Sequence, residues 1–166
     1  MILFHASPFI IESPEVRYSR DYLDFGKGFY LTTLYAQAEK YAQRFLLRGK
    51  KAYINEYLLD DNLPGYIVKR FECYNVEWLE YVGKCRKGII DTSFDIVSGG
   101  IADDKVFNTI DLYFAGEMSK EDALGRLAFI HPNHQLCILN QKVIQKHLRF
   151  VKATELTTGD IKNAGR

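Results

Sequence analysis

Leu34, Ala38, Tyr41 and Phe45 recur at i, i+4, i+7 and i+11, which is one face of an amphipathic helix beginning just after Thr33. Arg44 and Arg48 stand near its C-terminal end, where cations complement the helix dipole, and Gly49 stops it. Strands are predicted at Met1 to Phe4, Phe29 to Thr33, Lys51 to Leu59, Tyr66 to Phe71, Gln135 to Leu139 and Leu148 to Ala153. Phe94-Asp95-Ile96-Val97 adds a short apolar strand with Asp95 inside it, and Ser98-Gly99-Gly100 then turns the chain. Asn75 caps a helix that carries Trp78, Leu79 and Val82 and closes near Gly83, with Trp78 in the core. Ile110, Tyr113 and Phe114 give another helical face, ending at Gly116. Ser119-Lys120-Glu121-Asp122 is a capping box for a helix through Leu124, Leu127 and Ala128, and Asn140 caps a last helix through Val143 and Ile144. Pro8 to Arg20 is a loop and Asn62-Leu63-Pro64-Gly65 a turn. Strands and helices mix without regular βαβ alternation, so the expected class is α+β. One domain is expected over residues 1–156, with a polar, frayed tail over 157–166.

Composition narrows the classes little. The chain has 166 residues, 47% hydrophobic and 26% charged, enough for a core without staples. A net charge of +1 gives no general attraction to nucleic acid or acidic membranes. Eleven Tyr and eleven Phe supply flat surfaces for stacking, although core packing is their usual use. Cys73, Cys85 and Cys137 are odd in number and widely spaced, which fits reduced thiols and a cytoplasmic setting better than a disulfide framework or a zinc site. His5, Pro8 and Glu12 interrupt the N-terminal apolar run, so no signal peptide is expected, and no uncharged apolar stretch approaches the ~20 residues of a membrane span.

Candidate chemistry centres on Asp24-Phe25-Gly26-Lys27-Gly28-Phe29-Tyr30-Leu31-Thr32-Thr33. Two glycines bracket Lys27, so the backbone can turn tightly or admit a ligand closely. The phosphate-loop pattern fails because Gly28 follows Lys27, and the dinucleotide fingerprint fails at Leu31. Taken alone, these residues form a hairpin turn feeding a buried strand. Asp103 and Asp104 follow a glycine turn and fit a helix N-terminus, with a base or metal site as the reserve reading. His131-Pro132-Asn133-His134 lacks zinc-protease spacing and reads as a loop.

Three motifs taken together say more. Phe4-His5-Ala6-Ser7, Gly26-Lys27-Gly28-Phe29-Tyr30 and Asn133-His134-Gln135-Leu136-Cys137-Ile138 resemble, in order and spacing, three motifs of the ADP-ribosyltransferase superfamily. The likeness is to its poly-ADP-ribose-polymerase and diphtheria-toxin branch, whose motifs run His-Gly-Ser, Gly-Lys-Gly-Ile-Tyr and Asn-x-Glu. Residues 1–152, including Phe94 to Val97 and Ala102 to Lys105, are also similar to small bacterial toxin-like proteins grouped with these transferases.

The resemblance implies a split, mixed or antiparallel β-sheet core with flanking helices, and an NAD-dependent mono-ADP-ribosyltransferase that consumes NAD without a metal. It implies catalytic roles for His5, Tyr30 and Gln135, and NAD contacts from His5, Ala6, Ser7, Gly28, Phe29, Tyr30, Thr32, Ala38 and Tyr41. His5 would bind the adenosine ribose, while Tyr30 and Tyr41 would sandwich nicotinamide; taken alone, Tyr41 reads as core. Three departures matter: Ala6 replaces a glycine, Ala38 a carboxamide-binding serine, and Gln135 the glutamate on the nicotinamide ribose. A glutamine accepts a hydrogen bond but brings no charge and cannot act as a base, so poly-ADP-ribose elongation is not expected, and the enzyme would be slow, take a second acid from elsewhere or use an acceptor that needs no deprotonation. Asp95, Asp103 and Asp104 are the reserve acids. The implied partners are NAD, an acceptor that is a protein, nucleic acid or small molecule, and a small antitoxin-like protein, with no membrane. The alternative is a catalytically silent module that binds NAD or ADP-ribose and acts through a protein partner.

Overall fold

The computed structural model describes residues 1–101, 104–128, 134–157 and 159, with Asp104 described by its backbone alone. An eight-residue strand lies at the centre of one sheet. Strand β3 (Ala52–Leu59) pairs antiparallel with β1 (Ile2–Ser7) on one side and with β7 (Leu148–Leu156) on the other. A second sheet has the order β2 (Phe29–Leu31), β6 (His134–Ile138), β5 (Ile96–Gly100), β4 (Val68–Arg70). Its pairs are antiparallel except for β4 with β5, which is parallel. Among the described residues the sheets meet at a single bridge. Phe4 N–H donates to Thr32 O at 2.8 Å, and Thr32 N–H donates to Phe4 O at 2.9 Å.

Helices α1 (Tyr35–Leu46), α2 (Val76–Arg86), α3 (Asp104–Phe114), α4 (Lys120–Leu127) and α5 (Gln141–His147) complete an α+β fold among the described residues. Three expected caps form. Asn75 accepts from Trp78 N–H at 2.8 Å, Ser119 Oγ from Asp122 N–H at 3.1 Å, and Asn140 from Lys142 N–H at 2.9 Å. One core cluster joins the two sheets through Leu3, Phe29, Leu31, Tyr57, Ile96 and Ile138. A second packs Ala6, Ala38, Ala42 and Ile54 where α1 crosses β1 and β3. The third sets α2, α3 and α4 against Val97 and Cys137 of the second sheet, around a fully buried Trp78. Each fully buried Leu, Ile or Phe contributes ~1.5–3 kcal/mol, so these clusters are what hold the strand ends in place.

The structure corrects several expectations. Helix α1 buries Ala38 and Ala42, while Leu34 and Tyr41 remain 48% and 43% exposed, so Tyr41 is not a core residue. Two alanines on the contact face let the helix lie close to the sheet, and the larger residues rotate outward. Ser98-Gly99-Gly100 does not turn the chain; it is the second half of β5, and Asp95 precedes that strand. A Cβ on Gly99 would lie 3.0 Å from Phe71 Cβ and 3.3 Å from Phe25 Cζ, so the glycine serves packing rather than a turn. Helix α2 likewise continues through Gly83 to Arg86, because the Phe114 ring occupies the space of a Gly83 side chain. In α4 the buried residues are Ala123 and Leu127, and Ala128 is exposed. Helix α3 begins at Asp104, as the acidic pair suggested, while Asp103, the loop 131–133 and most of the tail lie outside the described residues. No helix among the described residues is long and apolar enough to cross a membrane.

Two glycines allow a signed test. A Cβ on Gly28 would fall 2.4 Å from Cys137 Sγ and 2.8 Å from Ile138 O, whereas one on Gly125 in α4 meets nothing within 4 Å. Gly28→Ala is expected to destabilise by about 1–3 kcal/mol through overpacking. Gly125→Ala is expected to stabilise by about 0.5–1 kcal/mol through the lost freedom of glycine. Urea denaturation of both variants checks the pair, and equal effects at the two positions would contradict the packing described for Gly28.

Candidate active site

The turn before β2 is locked by the side chain that follows it. Gly26 adopts φ +80°, a conformation open to glycine at little cost. The Tyr30 hydroxyl donates to Gly26 O at 2.6 Å and accepts from Phe25 N–H at 3.0 Å, clamping the turn from inside. Ser19 Oγ accepts from Gly28 N–H at 3.1 Å. Burial drives the Tyr30 phenol far above its ordinary range, so it serves as a rigid ring and not as an acid or base near neutral pH. Burial also pushes the Cys85 thiol up to about 11 and raises that of Cys137, so both neighbours of this turn stay protonated.

His5 on β1 reaches across to β2, where its Nδ1 lies 2.7 Å from Tyr30 O. A carbonyl only accepts, so Nδ1 carries the proton. Burial lowers the His5 pKa against the raising effect of that bond, so the ring is neutral and Nε2 is left as an acceptor. Its face packs on Phe29, with ring centroids 4.6 Å apart. The antiparallel register sets Tyr30 opposite Cys137, so Gln135, two residues away, lies on the same face of the sheet. Such diagonal neighbours stand about 7–8 Å apart.

Gln135 is not alone. Its Nε2 donates to Asp24 Oδ2 at 3.4 Å, and Asp24 Oδ1 accepts from Arg86 Nε at 3.0 Å and from Arg86 Nη2 at 2.6 Å. The Asp24 and Arg86 side chains are only 14% and 15% exposed. The Arg86 guanidinium lies over the Phe107 ring, 3.9 Å from its centroid, and its Nη1 is buried without a hydrogen-bond partner among the described residues. A cavity of about 330 Å³ touches Gln135 from the side of Leu59, Leu63, Ile96, Ser98 and Leu136, and its lining includes none of His5, Tyr30, Asp24 or Arg86. Asp24 is the residue the sequence reading missed. It stands in the glycine motif, but nothing in the sequence ties it to a position 111 residues away.

The remaining candidates divide into those near these residues and those elsewhere. Ala6 and Ser7 are buried at the end of β1, where Ser7 Oγ accepts from Phe9 N–H at 3.1 Å. Phe29 is buried against Tyr57, and Thr32 Oγ1 donates to His134 O at 3.2 Å. Ala38 is buried on the inner face of α1. Tyr41 stands on the outer side of that helix, with Phe45 at 5.7 Å and the Arg44 guanidinium 5.2 Å from its ring. Asp95 is committed to the fold: it accepts from Ile67 N–H at 2.7 Å and from Asn140 Nδ2 at 2.6 Å, which leaves it poorly placed to act as a reserve acid. Asp103 and the Asp104 side chain lie outside the described residues. Among the described residues no group of three or more His, Cys, Asp or Glu gathers as a metal site.

These features define an α+β protein with two sheets joined at one bridge among the described residues, a clamped tyrosine whose carbonyl is bonded to His5, and a Gln135–Asp24–Arg86 hydrogen-bonded chain. The chain belongs to the family described as "Protein of unknown function (DUF3990)", whose model matches residues 1–150. A search of the curated proteins finds no match.

The buried neutral imidazole has a pH consequence. The unfolded chain takes up a proton near the ordinary 6.5, and the fold resists it. This stability is full above 6.5 and is lost as the pH falls through the lower folded value. From about pH 7 to about pH 5, wild type is expected to lose more melting temperature than His5→Gln. Parallel melting curves for the two proteins would remove His5 as the responsible group.

Proposed function

We propose that this protein is an NAD-dependent mono-ADP-ribosyltransferase that releases nicotinamide and passes ADP-ribose to an acceptor. The observation that carries the reading is the convergence of β1 and β6 on Tyr30 of β2. His5 is bonded to the Tyr30 carbonyl at 2.7 Å, and Gln135 lies diagonally across from Tyr30 on one face. A rigid ring and a hydrogen-bonding side chain about 7–8 Å apart suit nicotinamide and its ribose, which are joined by a single glycosidic bond. The two sheets joined at one bridge also agree with the split sheet that the motif likeness implies.

In this reading Tyr30 is a stacking platform, because its hydroxyl is already engaged by Gly26 and Phe25. Neutral His5 offers Nε2 to a ribose hydroxyl. Tyr41, exposed on α1, is the ring that the motif likeness assigns to the second face of the nicotinamide. The chemistry is loss of nicotinamide from the anomeric carbon through an oxocarbenium-like state, and the protein accelerates it by holding the leaving ring and accepting hydrogen bonds from the ribose. The missing glutamate supports a second reading, a silent NAD or ADP-ribose binder acting through a protein partner. Titration calorimetry with NAD, run beside an assay of free nicotinamide, separates turnover from binding alone. Absence of both binding and release would overturn both readings.

Tyr41 offers the cleaner substitution, since its exposure uncouples it from the core. Tyr41→Ala is expected to weaken NAD binding by ~1–3 kcal/mol, by analogy with stacking on nucleic-acid bases, with an unchanged melting temperature. Unchanged NAD affinity would take Tyr41 out of the site. His5→Ala is expected to lower NAD affinity or turnover while the protein still folds.

A further inference from the structure

We infer that the carboxylate of this site stands at position 24 rather than at position 135, and that Asp24 is a positioning residue fixing which atom Gln135 presents to substrate. The inference rests on the proposed function and deepens it. Arg86 supplies two N–H groups to one oxygen of Asp24, Oδ1, at 2.6 and 3.0 Å, and the other oxygen, Oδ2, accepts from Gln135 Nε2 at 3.4 Å. A carboxylate oxygen accepts only, so Gln135 must turn Nε2 toward Asp24, and its Oε1 points the other way. The exposed end of the amide is therefore an acceptor, as a ribose hydroxyl requires. The Phe107 ring beneath the guanidinium holds the far end of the relay. Asp24 with Gln135 carries the same single negative charge as an asparagine with a glutamate in the same two places.

This equivalence makes the inference testable by exchange. In Asp24→Asn, Arg86 still demands an acceptor, so the new amide keeps its oxygen toward the guanidinium and turns its NH₂ toward Gln135. Gln135 then flips and presents a donor to the ribose. In Gln135→Glu, two carboxylates face each other across the 3.4 Å now spanned by the Gln135–Asp24 bond. They repel until one takes up a proton. The double variant restores one donor, one acceptor and one charge.

Nicotinamide release, NAD binding and thermal melting are measured for wild type, both single variants and the double variant, across pH. Each single variant is expected to release nicotinamide ~10–100-fold more slowly, by analogy with outer-shell partners that orient metal ligands. Gln135→Glu should recover part of that loss at acid pH, and the double variant should return toward wild type in both rate and melting temperature. A double variant whose losses equal the product of the two single losses, in rate and in melting, overturns the inference. So does a Gln135→Glu protein at least as active as wild type at neutral pH. A wild type that neither binds NAD nor releases nicotinamide overturns the proposed function instead. The melting cycle then decides the Asp24–Gln135 pairing alone: additive melts overturn it and a restored double variant supports it.

Discussion

Two backbone hydrogen bonds between Phe4 and Thr32 are the hinge of this structure, since among the described residues they form the one backbone bridge between the sheets, and His5 and Thr32 of the candidate site stand at it. Pairing between β1 and β2 stops after this one bridge. The Tyr30 carbonyl, which a continued ladder would bond to the β1 backbone, is met instead by the His5 imidazole at 2.7 Å. A buried histidine thus completes the backbone bonding of the second sheet and is held in one tautomer by doing so.

The Asp24–Arg86 pair is a poor stabiliser by the usual reckoning. Removing two charges from water costs several kcal/mol each, and the attraction between them offsets that loss only with good geometry. Here two N–H groups converge on one carboxylate oxygen, the other oxygen accepts from Gln135, and a guanidinium nitrogen is buried without a hydrogen-bond partner among the described residues. Well-packed apolar side chains would serve the fold at least as well. An arrangement so costly for stability is better explained by what it does to Gln135 than by what it adds to the core.

The sequence revealed the elements far better than their contacts. Periodicity located α1, and the side-chain caps at Asn75, Ser119 and Asn140 marked three helix starts because those bonds are local. It failed where a glycine answers to something distant. Gly83 and Gly99 look like stops but make room for Phe114 and for Phe71 with Phe25, and only the packed structure shows this. The orientation of α1 went the same way, since two small residues drew the helix inward and left Tyr41 outside. The motif residues His5, Tyr30 and Gln135 could be named from their order along the chain. Asp24 could not, because its partners lie 62 and 111 residues away and neither separation has a periodic signature.

The consequence for chemistry follows from the charge states. Tyr30, Cys85 and Cys137 are held protonated by burial and His5 is held neutral, so none of the four supplies charge near neutral pH. Within the Asp24–Arg86–Gln135 cluster the carboxylate of Asp24 is the only negative group, and Arg86 sits directly against it. A cation developing on a ribose would meet the dipole of that ion pair, with the negative end nearer to Gln135, rather than a free anion. A dipole's field falls faster with distance than that of a lone charge, so the benefit depends on how closely the ribose approaches Gln135. The proposed reaction is therefore governed by the fit of substrate against that one side chain, and a slow basal rate is the natural result in the absence of an acceptor that presses the sugar into place.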